Sequence, residues 1–278
     1  MHRPYQLSVV IPWSGRPELA RTLEQNLGLL AAYTPEVLVV NCGGDPAALA
    51  TSAFEGTGHV RTIDLPAGRF NKALALNLGL HAAQADTVLT LDADVLLNAE
   101  TLRTDGIDFE TSFFTVEAMQ ETLPSEQPLE FLKGISGSVL AGVDQVHLLR
   151  FTWADGTTSE VRTARKSLVD GNRAGAGLLM VRKAHLVAIG GYNSKLEHWG
   201  WEDNDIQFRL RHVLGLQHVE RGSVQHISHG DELRAMHGQT RADLTFLNLQ
   251  RSVRAFAHGD FQGTLHADVL AWHERSGS

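Results

Sequence analysis

At 278 residues the chain is long enough to bury a sizeable core, as one large α/β domain with additions or as two small ones. Lys and Arg number 24 against 32 Asp and Glu, and the resulting charge of −8 leaves no general cationic surface, which argues against nucleic acid as the main partner. One cysteine, Cys42, excludes an intrachain disulfide; with no signal-peptide pattern and no apolar run near the ~20 residues of a membrane helix, a cytoplasmic protein without a transmembrane segment is expected.

Leu7 to Pro12 is apolar and β-branched, a buried strand that Pro12 should end because its nitrogen cannot donate to a ladder. After the loop Trp13-Ser14-Gly15-Arg16, Pro17 suits a first helical position, and Leu19, Leu23, Asn26, Leu27 and Leu30 form an amphipathic face. Glu36 to Val40 reads as a second buried strand, so the opening is a βαβ unit and implies a parallel sheet. His59 to Asp64 is a third strand. Leu65 to Ala73 then opens a helix with Leu74, Leu78 and His81 on one face and Asn77 along it. Arg69 and Lys72 lie near that helix start, where the dipole favours anions; a bound phosphate would reconcile them, and solvated surface charge is the alternative.

The pivot is Leu89 to Leu97, which reads as a strand buried on both faces yet carries Asp92 and Asp94. Unpaired buried carboxylates cost several kcal/mol, so the pair belongs at the strand's C-terminal end, facing a cation or polar ligand. Residues i and i+2 share a strand face, so both acids could address one ion; capping and turn contacts are the plainer alternative.

From Thr101 to about Asp170 the pattern weakens. Phe113, Phe114 and Val116 suggest a strand, Leu123 to Pro128 a polar connection, and Val139–Phe151 with Ser159–Thr163 a hairpin across Ala154-Asp155-Gly156-Thr157. Ala174 to Val181 resembles a strand whose small residues, Gly175 and Gly177 among them, permit close backbone approach. Arg182 to Ile189 is a short helix ended by Gly190-Gly191. His198-Trp199-Gly200-Trp201-Glu202-Asp203-Asn204-Asp205 sets two indoles beside carboxylates at a helix start. Capping accounts for Asp203 and Asp205 but not for the indoles, whose flat faces suit sugar rings. Glu220 to Ile227 is a strand closed by His226-Ile227-Ser228-His229. Joint ligation by the two imidazoles needs a bend at its end, for which Gly230 is suited. Polar helical segments follow Arg234.

Taken together these blocks resemble the GT-A glycosyltransferases, in particular the β-1,4-galactosyltransferase-like group and its bacterial family 2 relatives. Val10-Ile11-Pro12-Trp13-Ser14-Gly15-Arg16 is similar to that group's first strand and uridine-binding loop, which implies nucleotide contacts from Pro12, Trp13 and Arg16. The run Phe70-Asn71-Lys72-Ala73 through Asn77 and Gly79 resembles its F-N-R-A-x-x-L-N-x-G block, implying that Phe70 stacks near uracil and Lys72 meets the nucleotide. Asp92-Ala93-Asp94 matches its D-x-D, with Asp94 on Mn²⁺ and Asp92 on the sugar nucleotide. Trp199 to Asp205 resembles W-G-W-x-x-E-D-D-D, two residues shorter, implying Asp203 as catalytic base, Glu202 as an acceptor or sugar ligand and Trp201 at the sugar. His226-Ile227-Ser228-His229 resembles the M-x-x-H metal segment, with His226 replacing Met and His229 the matching ligand.

The resemblance covers roughly 7–110 and 170–232, and leaves 111–169 and the tail uncovered. It implies an α/β GT-A (Rossmann-like) fold: a mixed, mostly parallel central sheet flanked by helices, with an inserted hairpin region. The expected division is a glycosyltransferase domain over 1–240, its nucleotide-binding half near 1–100 and its acceptor half near 101–240, then a helical C-terminal extension over 241–278. The implied activity is metal-dependent, inverting transfer of a sugar from a nucleotide-sugar, a UDP-sugar by the loop, to an acceptor hydroxyl, with Mn²⁺ or Mg²⁺ as cofactor and His tilting the choice towards Mn²⁺. A metal-dependent phosphohydrolase using Asp92, Asp94, His226 and His229 is the first alternative, and a nucleotidylyltransferase on a similar fold another.

Overall fold

The computed structural model of the chain describes residues 5–48, 60–65, 70–123, 142–198, 200–229 and 240–276. Strand β1 (Leu7–Trp13) lies between β2 (Pro35–Asn41) and β4 (Thr87–Thr90), both parallel to it, and β3 (Val60–Asp64) extends the parallel set beyond β2. Every residue of β1 and β2 is buried, as expected of inner strands covered on both faces. Alternation assigns the faces. Val9, Ile11, Val37 and Val39 join Leu19, Leu23 and Leu30 of helix α1 (Glu18–Leu30) in one core, while Val10, Leu38 and Val40 join Ala73, Ala75 and Leu76 of α2 (Lys72–Ala82) in the other.

The second half completes the same sheet in mixed sense. The two-residue strand β5 (Val95–Leu96) forms the edge, and β6 (Ser112–Glu121) lies further in. A hairpin, β7 (Asp144–Thr152) and β8 (Thr158–Ser167), joins the sheet through Lys166↔Arg173. Strand β9 (Arg173–Arg182) runs antiparallel to both β4 and β6. Helices α3 (Lys183–Ala188) and α4 (Glu202–Val213) precede β10 (Gln217–Glu220) and β11 (Ser223–His226), each parallel to β6. Strand β11 pairs antiparallel with β5. Helices α5 (Arg241–Ala257) and α6 (Leu265–Ser276) follow. No described helix is long and apolar enough to cross a membrane.

Several expectations are corrected. Strand β1 continues through Pro12, which pairs in register with Val40. In a parallel strand the polar groups of alternate residues point to opposite neighbours. Val10 serves the β4 side and Trp13 the β2 side, so the N–H that Pro12 lacks would have faced β4 where that strand has already ended. Leu89–Leu97 is not one strand: β4 stops at Thr90, a turn carries Asp92 and Asp94, and β5 begins at Val95. The hairpin stands where expected, with boundaries shifted to 144–152 and 158–167. Its Phe151 and Trp153 pack against Phe208, Phe256 and Phe261, a third apolar cluster that ties the hairpin to α4 and α5. Arg69, Trp199, Gly230 and most of the Leu123 to Pro128 connection lie outside the described residues.

Helix α2 is buried almost all round rather than on one face, because α6 covers its outer side. Asn77, fully enclosed, donates to the carbonyl of Tyr192 (2.9 Å) and to Asp268 Oδ2 on α6 (2.7 Å), and accepts from Tyr192 N–H (2.8 Å). The segment beyond 240 is thus hydrogen-bonded into the sheet's helical layer.

Gly79 marks the closest approach of α2 to β1: a Cβ there would lie 2.2 Å from Val10 Cγ1. Gly79→Ala should therefore destabilise the protein by about 1–3 kcal/mol through overpacking, despite the roughly 1 kcal/mol that Ala gains in helix propensity. A urea denaturation midpoint no lower than that of the unaltered chain would contradict this packing.

Candidate active site at the carboxyl edge of the sheet

The loops after β1 and β4, the start of α2, the start of α4 and the end of β11 meet at one edge of the sheet, where open α/β sheets present ligands. The Asp92–Asp94 turn is pegged from below by α1. Thr22 Oγ1 donates to the carbonyl of Ala93 (2.8 Å), Asn26 Nδ2 donates to that of Val95 (2.8 Å), and Asn26 Oδ1 accepts from Leu97 N–H (2.8 Å). The carbonyl of Asp94 accepts from Ile227 N–H (2.7 Å), which binds this turn to the histidine segment.

Because Asp92 and Asp94 sit on a turn, they do not share a strand face, and their carboxylates serve two different clusters. Asp94 Oδ2 lies 3.1 Å from His229 Nε2 and 3.5 Å from His226 Nε2. One ligand atom from each of these three residues falls within 4.8 Å of the others. The chain leaves regular strand geometry after His226, and that bend lets both imidazoles turn to one side. Burial opposes charge on Asp94, but His226, Arg16 and His229 outweigh it and hold its carboxyl well below the usual range.

This group fits a divalent cation. Asp94 Oδ1 is buried and has no hydrogen-bond partner among the described residues, and one carboxylate with two imidazoles is a donor set for a divalent metal ion. Arg16 already places positive charge there. Its Nη1 donates to Asp94 Oδ2 at 2.8 Å and also contacts His229 Nε2. A residue that sequence reasoning missed supports the group from behind: Glu121 Oε2 lies 2.7 Å from His226 Nδ1.

The second cluster surrounds Lys72. Its Nζ is 2.9 Å from Asp92 Oδ1, 3.0 Å from Asp203 Oδ2 and 3.8 Å from Glu202 Oε1. The awkward cation at a helix start is therefore answered by carboxylates. Asn71 caps α2, its Oδ1 accepting from Leu74 N–H (3.0 Å) while its Nδ2 donates to the carbonyl of Ser194 (2.8 Å), and so fixes where Lys72 begins. Burial disfavours the Lys72 charge, but Asp203, Asp92 and Glu202 together raise its pKa well above the ordinary value. Burial, then repulsion from Asp203, pushes Glu202 up to about 7. Burial also raises Asp203, against the pull of Lys72. Gly177 on β9 leaves the space open, since a Cβ there would stand 2.7 Å from Asp92 Oδ2 and 3.3 Å from Asp203 Oδ2.

The two indoles described at this edge are not open platforms. Trp201 is 3 % exposed, and its Nε1 donates to Ser252 Oγ on α5 (2.9 Å). That anchorage holds Trp201 in the left-handed region at φ 77°, where α4 starts, and aims Glu202 and Asp203 at Lys72. Ser252 Oγ in turn donates to Asp205 Oδ1 (2.7 Å), and Asp205 pairs with buried Arg209 (2.7 Å), so Asp205 belongs to the support rather than to the site. Trp13 is 2 % exposed and its Nε1 donates to the carbonyl of Arg16 (2.8 Å), shaping the loop that presents the guanidinium. Pro12 is buried within β1, and Phe70 is half-buried against the α2 core.

Two family models match the chain in succession. Glycosyl transferase family 2 matches residues 8–104, and the model described as the N-terminal domain of galactosyltransferase matches residues 165–230. No curated protein matches. Among solved structures, the mannosyltransferase PcManGT from Pyrobaculum calidifontis, in complex with GDP-Man and Mn²⁺, is similar over 96 % of this chain and 70 % of its own, at 17 % identity and a TM-score of 0.52. GalNAc-T7 with UDP, GalNAc and Mn²⁺ is similar over 90 % of this chain at 16 % identity and a TM-score of 0.58, and this chain spans 48 % of that protein's length. These likenesses establish the fold. With the two family matches falling in order on the parts that build the common edge, the chain is a glycosyltransferase of GT-A-like fold, similar to family 2 over its first part and to the galactosyltransferase domain over residues 165–230.

Proposed function

We propose that the protein is a metal-dependent, inverting glycosyltransferase that moves a sugar from a nucleotide-sugar, a UDP-sugar in our reading, to an acceptor hydroxyl. The observation that carries this reading is the convergence of Asp94, His226 and His229 beside the Lys72–Asp92–Glu202–Asp203 cluster at one sheet edge. Asp94, His226 and His229 would hold Mn²⁺ or Mg²⁺, which when bound supplies positive charge to a diphosphate leaving group. Mn²⁺ is favoured by the imidazoles.

Arg16 and Lys72 are cations of this edge among the described residues, and they suit the nucleotide's phosphates. Asp92 lies against Lys72 and suits the donor's sugar and ribose hydroxyls, with Phe70, half-buried at the start of α2, on the nucleotide side. Asp203 is the base. The acceptor oxygen attacks the anomeric carbon from the face opposite the diphosphate, a new C–O bond forms as the old one breaks, the nucleoside diphosphate departs with the bonding electrons, and Asp203 receives the acceptor's proton. Burial strengthens the basicity of Asp203 while the Lys72 ammonium keeps it ionised. Glu202 lies beside it to bind an acceptor or sugar hydroxyl. The lone Cys42 thiol, which burial pushes up to about 12, suits a reducing, cytoplasmic setting.

Asp94→Asn should remove Mn²⁺ binding as read by calorimetry on the nucleotide-free protein; unchanged affinity would refute the metal assignment. Asp203→Asn should retain UDP-sugar binding but lose transfer by a factor of about 10²–10⁴, and full turnover in a nucleoside-diphosphate release assay would exclude it as the base. In Lys72→Met the acidic limb of kcat/KM for the donor, which reports the donor-free enzyme, should move to higher pH, because Asp203 loses the cation that keeps it ionised. A limb that stays put would show that the ammonium does not govern the base.

A further inference from the structure

Beside the site, Glu121 has no part in the transfer chemistry, yet its surroundings are specific. Strands β6 and β11 pair in parallel with His226 opposite Glu121, which brings two residues 105 positions apart in sequence into side-by-side register. Glu121 Oε2 lies 2.7 Å from His226 Nδ1 and accepts from Ser228 Oγ at 3.0 Å, while Oε1 accepts from Arg173 Nε at 3.0 Å. Paired with the Arg173 guanidinium, the carboxylate accepts, so Nδ1 is the His226 nitrogen turned to it as donor. The remaining ring nitrogen, Nε2, then faces Asp94.

We infer that Glu121 is a positioning residue that makes His226 a metal ligand: by fixing the ring's orientation and tautomer it aims Nε2 into the space shared with Asp94 and His229. A carboxylate behind a ligating imidazole raises the imidazole's donor strength and holds its angle. Without it, the ring could rotate about its Cβ–Cγ bond and present either nitrogen to either side. Arg173 and Ser228 hold Glu121 in turn, so the support reaches from β9 and from the residue two places beyond His226. This inference rests on the metal reading given above and goes beyond it by assigning how one ligand is oriented.

The test is a cycle of Mn²⁺ affinities measured by calorimetry and by the electron paramagnetic resonance of free Mn²⁺, on the full chain without nucleotide. The variants are Glu121→Gln, His226→Met and the two combined. Met keeps a ligand atom but has no ring N–H for Glu121 to accept. Glu121→Gln should weaken Mn²⁺ binding about 10- to 100-fold in the unaltered chain, and should change it little in the His226→Met background. Equal losses in both backgrounds would mean that Glu121 acts only through general structure, and undiminished affinity in Glu121→Gln would mean that it does not act on the metal; either result overturns the inference while leaving the metal reading intact. No Mn²⁺ binding by the unaltered chain would overturn both together. Should Glu121→Gln fail to fold, Ser228→Ala, which removes a second partner of Oε2, carries the same comparison: a smaller loss that depends on His226 supports the inference, and no loss or a loss independent of His226 overturns it.

Discussion

The structure depends on keeping several carboxylates together at one sheet edge with little water. Asp92, Asp94, Glu202 and Asp203 all lie there, and like charges at such separations repel strongly when solvent is partly excluded. Lys72 answers three of them at once, and Arg16 answers Asp94. Burial first and Asp203 second push Glu202 up to about 7, and one oxygen of Asp94 is buried without a described partner. That oxygen is a donor atom of the kind a further cation would use.

The path from sequence to this edge was legible where burial on both faces dictates the pattern. The runs Leu7–Pro12 and Glu36–Val40 read as inner strands, each extending slightly further in the structure, and the helix between them follows from its apolar spacing. Asn26 stood among the apolar positions of that helix without a reason visible in sequence; the reason is that its amide holds the backbone of Val95 and Leu97 beneath the aspartate turn. Leu89–Leu97 misled because apolar residues on both sides of a short acidic turn look the same whether the chain runs straight or bends. The bend separates Asp92 from Asp94 and gives each its own cluster.

Other features were hidden because they are properties of register and of layers. Trp201 reads in sequence as a sugar platform, and only the packing of α5 shows its indole spent on Ser252 and its backbone turned to φ 77°. Lys72 reads as a phosphate ligand, and only the start of α4 brings Glu202 and Asp203 to it. Glu121 carries no motif at all. Its meaning depends on β6 and β11 pairing so that one particular acid stands beside one particular imidazole. The resemblance to known glycosyltransferases named the motif blocks and said nothing of such neighbours, since a short motif records which residues are expected at the ligand and not which residues hold them.

The two clusters are coupled by covalent and hydrogen-bonded structure rather than by a shared ion. Asp92 and Asp94 are two residues apart on one pegged turn, so a displacement of either carboxylate strains the same backbone. The Asp94 carbonyl holds Ile227 between the histidines, and Gly177 leaves the Lys72 cluster just enough room that any side chain would collide with Asp92. In the proposed reaction the leaving diphosphate concerns the Asp94 side and the acceptor proton concerns the Asp203 side. Lys72 touches both Asp92 and Asp203, so in the proposed reaction one residue would both meet the donor and set the charge of the base. A donor that draws Lys72 towards its phosphates would release Asp203 from its ion pair and raise its affinity for a proton at the moment an acceptor hydroxyl is there to give one up.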